Sequence, residues 1–290
     1  MTDAGVATSA VGEADVMGTM AEVAVVAPNA NDLLARARRQ FEQLERAWNP
    51  LHANSEINRL NDSGGRGMVV SGATLALVEA AVSAWYLTGR RFDPTLVGDF
   101  ALRDPATGAL RRGCGEIELD TAASIVRMPV GVGFDASGIA RGLAADLVVR
   151  AMREEGASGV YVNVGGDVRV SGAPLDARAW RVPLGVRGAT PPAPSVPVIE
   201  LTQGAVATSG SASHYLDPAT GAATHTDVAR VSIVATQAWQ AQVLTKAMFV
   251  AGSKVGLEIV ETLGSAAMVT TTDGKTLSTA SFRHYGAFAA

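Results

Sequence analysis

Apolar residues at Leu34, Ala37, Phe41, Leu44 and Trp48 keep the three-and-four spacing of a helix face. Asn31 or Asp32 can cap that helix, and Pro50 stops it. Arg36, Arg38 and Arg39 decorate its other side, as on a solvated face. A second helix opens at Ser71 or Thr74, carries Leu75, Val78, Val82, Trp85 and Tyr86, and ends at Gly89. A third is predicted over about residues 137–155, with Leu143, Leu147 and Val148 inward and Gly156 after it. Two more cover residues 239–251 and 254–263. Valine-rich runs predict strands at 22–26, 116–119, 125–128, 160–164, 168–170, 180–186, 231–235 and 267–270. A last strand follows the turn at Asp273-Gly274. Ala205, Val206 and Ala207 read as the end of another strand, and residues 188–197, proline-rich, read as a surface loop.

Strands and helices intermix without regular βαβ alternation, which favours an α+β fold over a doubly wound parallel sheet. Residues 1–15 are rich in Ala, Gly and Thr and read as a disordered tail. Residues 16–290 read as a single domain, alternatively described as two intertwined lobes. At 48% hydrophobic the chain can bury a sizeable core, and its net charge of −4 gives no basic face for nucleic acid. One cysteine, Cys114, excludes an internal disulfide framework and reads as incidental. No apolar run is long enough to span a membrane, and the first residues lack a signal-peptide pattern, so a cytoplasmic location is expected.

Candidate chemistry gathers in five segments. Val206-Ala-Thr-Ser-Gly210 is followed by His214-Tyr-Leu-Asp-Pro-Ala-Thr-Gly221 at a sheet edge, where an ordinary turn is the alternative reading. Asp93 in Arg91-Phe-Asp-Pro-Thr95 is held extended by Pro94, either as a site carboxylate or as an Asx turn. Phe134-Asp-Ala-Ser-Gly-Ile-Ala-Arg-Gly142 puts small residues at a helix start, a place suited to pyrophosphate or simply to close packing. Val162-Asn-Val-Gly-Gly-Asp167 ends a strand, as a pocket wall or a β-bulge. Ala241-Gln-Val-Leu-Thr-Lys-Ala247 places Gln242 and Lys246 on one helix face.

In chain order and spacing the first four of these segments resemble the FAD:protein FMN transferase family, also called the ApbE family, in a likeness that runs from Met17-Gly-Thr19 to about Gly252. The resemblance implies an ApbE-like fold of mixed sheets with packed helices. It implies FAD as substrate, Mg²⁺ as the family's metal, and a partner redox protein with a Ser/Thr flavinylation motif. FMN would pass to that hydroxyl, and AMP would leave. FAD contacts carry over to Met17, Arg91, Phe92, Asp93, Ser137, Arg141, Gly165, Gly166, Ser209, Gly210 and Asp217. Arg141 stands where the family has a lysine, and His214 falls at the family's histidine, as a proton-transfer or phosphate-stabilising group. A backbone carbonyl at Ala140 matches one metal ligand. The family's two side-chain ligands, an aspartate and a threonine four residues later, are replaced here by Gln242 and Lys246. Gln242 could still offer a neutral oxygen to Mg²⁺, whereas a protonated lysine cannot ligate. Lys246 is therefore a candidate catalytic group that stands in for the metal. The alternatives are an FAD-binding protein without transfer, or a hydrolase that yields FMN and AMP.

Overall fold

The computed structural model describes residues 6–96, 113–185, 196–210, 215–285 and 288–289. Its centre is an eight-stranded sheet. In chain order the strands are β1 (Thr8–Val16), β2 (Thr19–Ala27), β6 (Gly159–Val164), β7 (Asp167–Ser171), β10 (Gln203–Gly210), β11 (Val228–Ala235), β12 (Ala266–Thr271) and β13 (Thr276–Ser278). They lie side by side in that order, every neighbour antiparallel. A three-stranded sheet holds β3 (Met68–Val69), β4 (Glu118–Asp120) and β5 (Ile125–Arg127). Another holds β8 (Trp180–Pro183), β9 (Pro197–Leu201) and β14 (Phe288–Ala289).

Strand periodicity sends alternate residues to opposite faces of the large sheet. On one face Val160, Val162, Val164 and Ala205 join the core of α1 (Ala30–Trp48), α3 (Gly72–Leu87) and α4 (Ala140–Glu154). Farther along that face, Ala207, Val231, Ile233 and Val269 pack with α5 (Ala238–Ala251) and α6 (Ser253–Thr262). On the other face Val168, Val170, Val206 and Val234 meet Val182, Leu184 and Ile199 of the β8–β9 layer. The architecture is the α+β arrangement expected.

Three local readings change. Residues 8–15, expected to be disordered, form most of β1. They pair with β2 through a turn at Met17 and Gly18, both with positive φ, while only Ala10 and Val16 of the strand are buried. An edge strand held by backbone bonds needs little apolar patterning, so the sequence did not announce it. The third helix starts at Ala140 rather than 137, because Asp135 Oδ1 accepts the Ser137 N–H at 2.6 Å and closes a turn first. The strand expected over 180–186 stops at Pro183, and the stretch expected as a loop ends on β9 at Pro197. Residue 186 of that strand and residues 188–195 of that stretch lie outside the described residues. A short helix, α2 (Glu56–Asn61), is capped by Ser55.

Candidate active site

Two helices build the floor of the site by capping each other. Neither α4 nor α5 has a side-chain cap from its own N-cap residue, Ile139 or Gln237. Instead Asp146 of α4 accepts the N–H groups of Ala238 and Trp239 at 2.9 and 3.0 Å, the first amides of α5. In return Gln242 Oε1 of α5 accepts the Gly142 N–H of α4 at 2.9 Å, and Gln242 Nε2 donates to the Ser137 carbonyl at 3.3 Å. Orphan amides at a helix start are ordinarily satisfied locally; here each helix supplies the other. Gly142 is required by the crossing, since a Cβ there would lie 2.5 Å from the Ala238 carbonyl oxygen. Arg169 of β7 pairs with Asp146 at 3.1 Å. Burial pushes Asp146 up to about 6, against the pull of the two amides and of Arg169 and Arg150.

Above this floor lie three adjoining hollows. The first, about 480 Å³, is lined by Met17, Trp48, Ile57, Phe134, Ser137, Ala140 and Arg141, among others. Asn61 fixes its wall by accepting the Phe134 N–H at 2.8 Å and donating to the Phe134 carbonyl at 3.1 Å. Glu45 Oε2 accepts the Met17 N–H at 2.5 Å, which holds the left-handed turn at its mouth. The second, about 280 Å³, shares Ser137 and Arg141 with the first and adds Arg91, Phe92, Asp93, Tyr215 and Lys246. The third, about 750 Å³, shares Arg91, Asp93, Pro218 and Val250 with the second and adds Cys114, Glu116 and Asp217.

The middle hollow concentrates charge. Arg141 Nε stands 3.2 Å from Oδ2 of the buried Asp167, an oxygen with no aligned hydrogen bond. Burial pushes Asp167 up, and Arg141 and Lys246 oppose that. Lys246 is pushed down to about 8, chiefly by burial and further by Arg141, with Asp167 acting in the other direction. Its Nζ donates to Thr245 Oγ1 at 3.3 Å, and Thr245 Oγ1 in turn meets Ser209 Oγ at 2.8 Å. Gly165, at φ +61, lets the turn between β6 and β7 close on Arg141, whose Nη1 would be 3.2 Å from a Cβ there.

The fold thus gathers Met17, Arg91, Phe92, Asp93, Ser137, Ala140, Arg141, Asp217 and Lys246 around connected hollows. Gly165 adjoins them through Arg141, and Ser209 through Thr245. Gly210 continues β10 opposite Arg230, and Gly166 donates its N–H to Asn163 Oδ1. His214 lies outside the described residues. Two carboxylates serve their own turns: Asp93 Oδ1 accepts Thr95 N–H and Oγ1–H, with Trp85 Nε1 on Oδ2, and Asp217 Oδ1 accepts the Ala219 N–H. Thr245, Tyr215, Glu45 and Asn61 add to the site residues that the sequence points to, and Asp167 of the Gly165-Gly166-Asp167 turn adds a carboxylate beside Arg141. Asp167 was legible beside Gly165-Gly166, but the others carry no local signal.

The model of the ApbE family matches residues 17–269. The chain belongs to the ApbE family. An FAD:protein FMN transferase of Haemophilus influenzae is 26% identical over 163 residues, 51% of this chain and 47% of that protein. The chain therefore spans about half the length of that curated relative. One from Vibrio cholerae is 25% identical over 282 residues, 85% of this chain and 82% of that protein. The solved flavin transferase ApbE from Vibrio cholerae superposes with a TM-score of 0.81 at 22% identity, covering 97% of this chain and 100% of that chain. An ApbE protein from Thermotoga maritima gives 0.80 at 23% identity, covering 96% and 99%. These structural likenesses show that the ApbE fold is shared.

The residues at the family's metal position do not fit Mg²⁺. Gln242, expected as a possible ligand, is fully buried and spends both ends of its amide, one on Gly142 of α4 and one on the Ser137 carbonyl in the turn before it. Turning the amide over would set its NH₂ against the Gly142 N–H, so this orientation is dictated. Lys246 brings a cation, not a ligand, and Ala140 alone makes no site. Among the described residues no three His, Cys, Asp or Glu side chains come together as a metal set. No helix among them is long and apolar enough to cross a membrane.

Proposed function

We propose that this ApbE-family protein transfers the FMN part of FAD to a Ser or Thr hydroxyl of a partner protein and releases AMP. The observation that carries the reading is the middle hollow, where Arg141 and Lys246 converge between two larger compartments. An elongated ligand with a dianionic centre and bulky ends matches that layout. FAD has this form, with its diphosphate between the flavin and adenosine portions. Met17, Trp48 and Phe134 offer an apolar compartment for a ring system. Arg91, Phe92, Asp93 and Asp217 line the way toward the other end, and Gly165 and Gly166 leave room beside the phosphates. Ser137 opens the α4 turn, and Ser209 and Gly210 continue the strand that leads to His214. In this reading His214 handles the proton of the attacking hydroxyl.

Phosphoryl transfer of this kind depends on positioning and on neutralising charge at the phosphates. The acceptor oxygen bonds to the FMN-side phosphorus, the bond from that phosphorus to the bridging oxygen breaks, and AMP departs with that oxygen. The test incubates the purified protein with FAD and a redox domain bearing a family-type Ser/Thr motif. AMP release matched by covalent flavin on the domain is the expected result. AMP with free FMN and no labelled domain would instead mean hydrolysis, and bound FAD without AMP would mean a carrier.

A further inference from the structure

This inference rests on the transfer reading above. We propose that the transfer runs without a divalent cation, because Arg141 and Lys246, which line the same hollow, do the cation's work at the diphosphate.

Three observations carry it. First, the side chain at the expected ligand position is structurally committed. Drawing Gln242 away to reach a metal would leave the Gly142 N–H buried and unbonded. Second, Lys246 lies one turn farther along the same face of α5 and lines the middle hollow together with Arg141. Third, Asp167 is buried on the neighbouring turn, ion-paired to Arg141 and electrostatically coupled to Lys246, with Oδ2 lacking any aligned hydrogen bond.

The third observation explains how two cations stand together before a ligand arrives. Two like charges that line one small hollow repel each other. The buried Asp167 carboxylate, ion-paired to Arg141, offsets part of that repulsion and leaves a net charge of +1 on the three groups. A bound diphosphate dianion meets that positive charge, which offsets about half of its own. As the bridging oxygen leaves with its electron pair, the growing charge on AMP meets fixed donors already in place. Atoms and charge balance without a metal: the acceptor's proton passes by way of the base of the transfer reading to solvent, and nothing is oxidised or reduced. Asp167 acts through the two cations and is a positioning residue.

The test measures two quantities with excess EDTA and with millimolar Mg²⁺. One is FAD affinity, read by quenching of flavin fluorescence. The other is AMP release with the acceptor domain present. Both are expected to agree within about two-fold between the two conditions. Lys246→Met is expected to lower AMP release by about 10²–10³-fold, the loss typical of one fixed charge-stabilising donor. Lys246→Arg restores much of it, still in EDTA. In Asp167→Asn the upper pH limit of AMP release falls, since Asp167 is what favours the proton on Lys246 against burial and Arg141. A purely structural role for Asp167 would lower the rate without moving that limit. Loss of activity in EDTA that Mg²⁺ restores, or FAD affinity raised more than about ten-fold by Mg²⁺, overturns the proposal. Transfer that fails in every condition sinks the function instead, and the FAD-affinity arm still decides the role of the metal.

Discussion

Replacing Gln242 with leucine keeps the side chain's size and removes both of its polar ends. In the folded protein the residue has no solvent exposure, so water cannot take over. The Gly142 N–H loses a 2.9 Å bond and becomes a buried, unsatisfied donor at the start of α4. That alone costs about 1–3 kcal/mol. The Ser137 carbonyl loses a longer bond of 3.3 Å, which adds at most about 1 kcal/mol. The sum is about 1–4 kcal/mol, and at roughly 2 °C per kcal/mol for a large domain the melting temperature drops by about 2–8 °C. Urea unfolding and a thermal scan of Gln242→Leu beside the wild type read this directly. Gln242→Glu sharpens the test. One of its oxygens can still accept from Gly142, but the other faces the Ser137 carbonyl, so the buried acid is stable only when protonated. Its folded-state pKa is raised, so that variant is most stable below the ordinary glutamate value and weakens as pH rises. A Gln242→Leu protein that melts within about 1 °C of the wild type would refute the mutual capping of α4 and α5.

Asp146→Ala removes the cap of α5 and leaves Arg169 buried without its partner, for an expected loss of about 3–5 kcal/mol in urea unfolding. The Asp146 pKa is raised, so its linked stability is full below the ordinary 3.8 and is lost as pH climbs through about 6. Asp146→Asn should remove that component from the stability–pH curve. Gly165→Ala puts a Cβ at φ +61 and 2.8 Å from Thr19, so a loss of about 1–2 kcal/mol is expected, with weaker FAD binding as Arg141 is displaced. Lys246 lines the middle hollow with Arg141 and Tyr215 and feels the charges of Arg141 and Asp167, and its amine is pushed down to about 8, chiefly by burial. With its pKa lowered, the charged amine is present below about 8, and kcat/KM for FAD should decline above it. A flat profile to pH 10 would contradict that assignment.

Much of the fold was legible because its signals are local. The Leu34-to-Trp48 stripe, the Ser71 cap, and the strands on either side of Gly165-Gly166 arise from residues a few positions apart. So does the polar lip after Val206, which falls at the end of β10. The ordered motifs also placed the chain in its family. Other features left no local trace. β1 has an edge strand's freedom from apolar patterning. Asp93 and Asp217 read equally well as site carboxylates or turn residues, and only their partners show that both close turns.

The sequence by itself determined where most helices and strands form, β1 being the main exception, because hydrophobic period and turn chemistry are properties of neighbouring residues. Tertiary structure decided what Gln242, Asp146, Asp167 and Lys246 do. Gln242 meets Gly142 across 100 residues and Asp146 meets Ala238 across 92. At such separations a side chain's task is set by which backbone amide or opposite charge packing leaves unsatisfied beside it. The same amide that a sequence offers as a metal ligand therefore becomes, once two helices cross at a glycine, the cap of its neighbour.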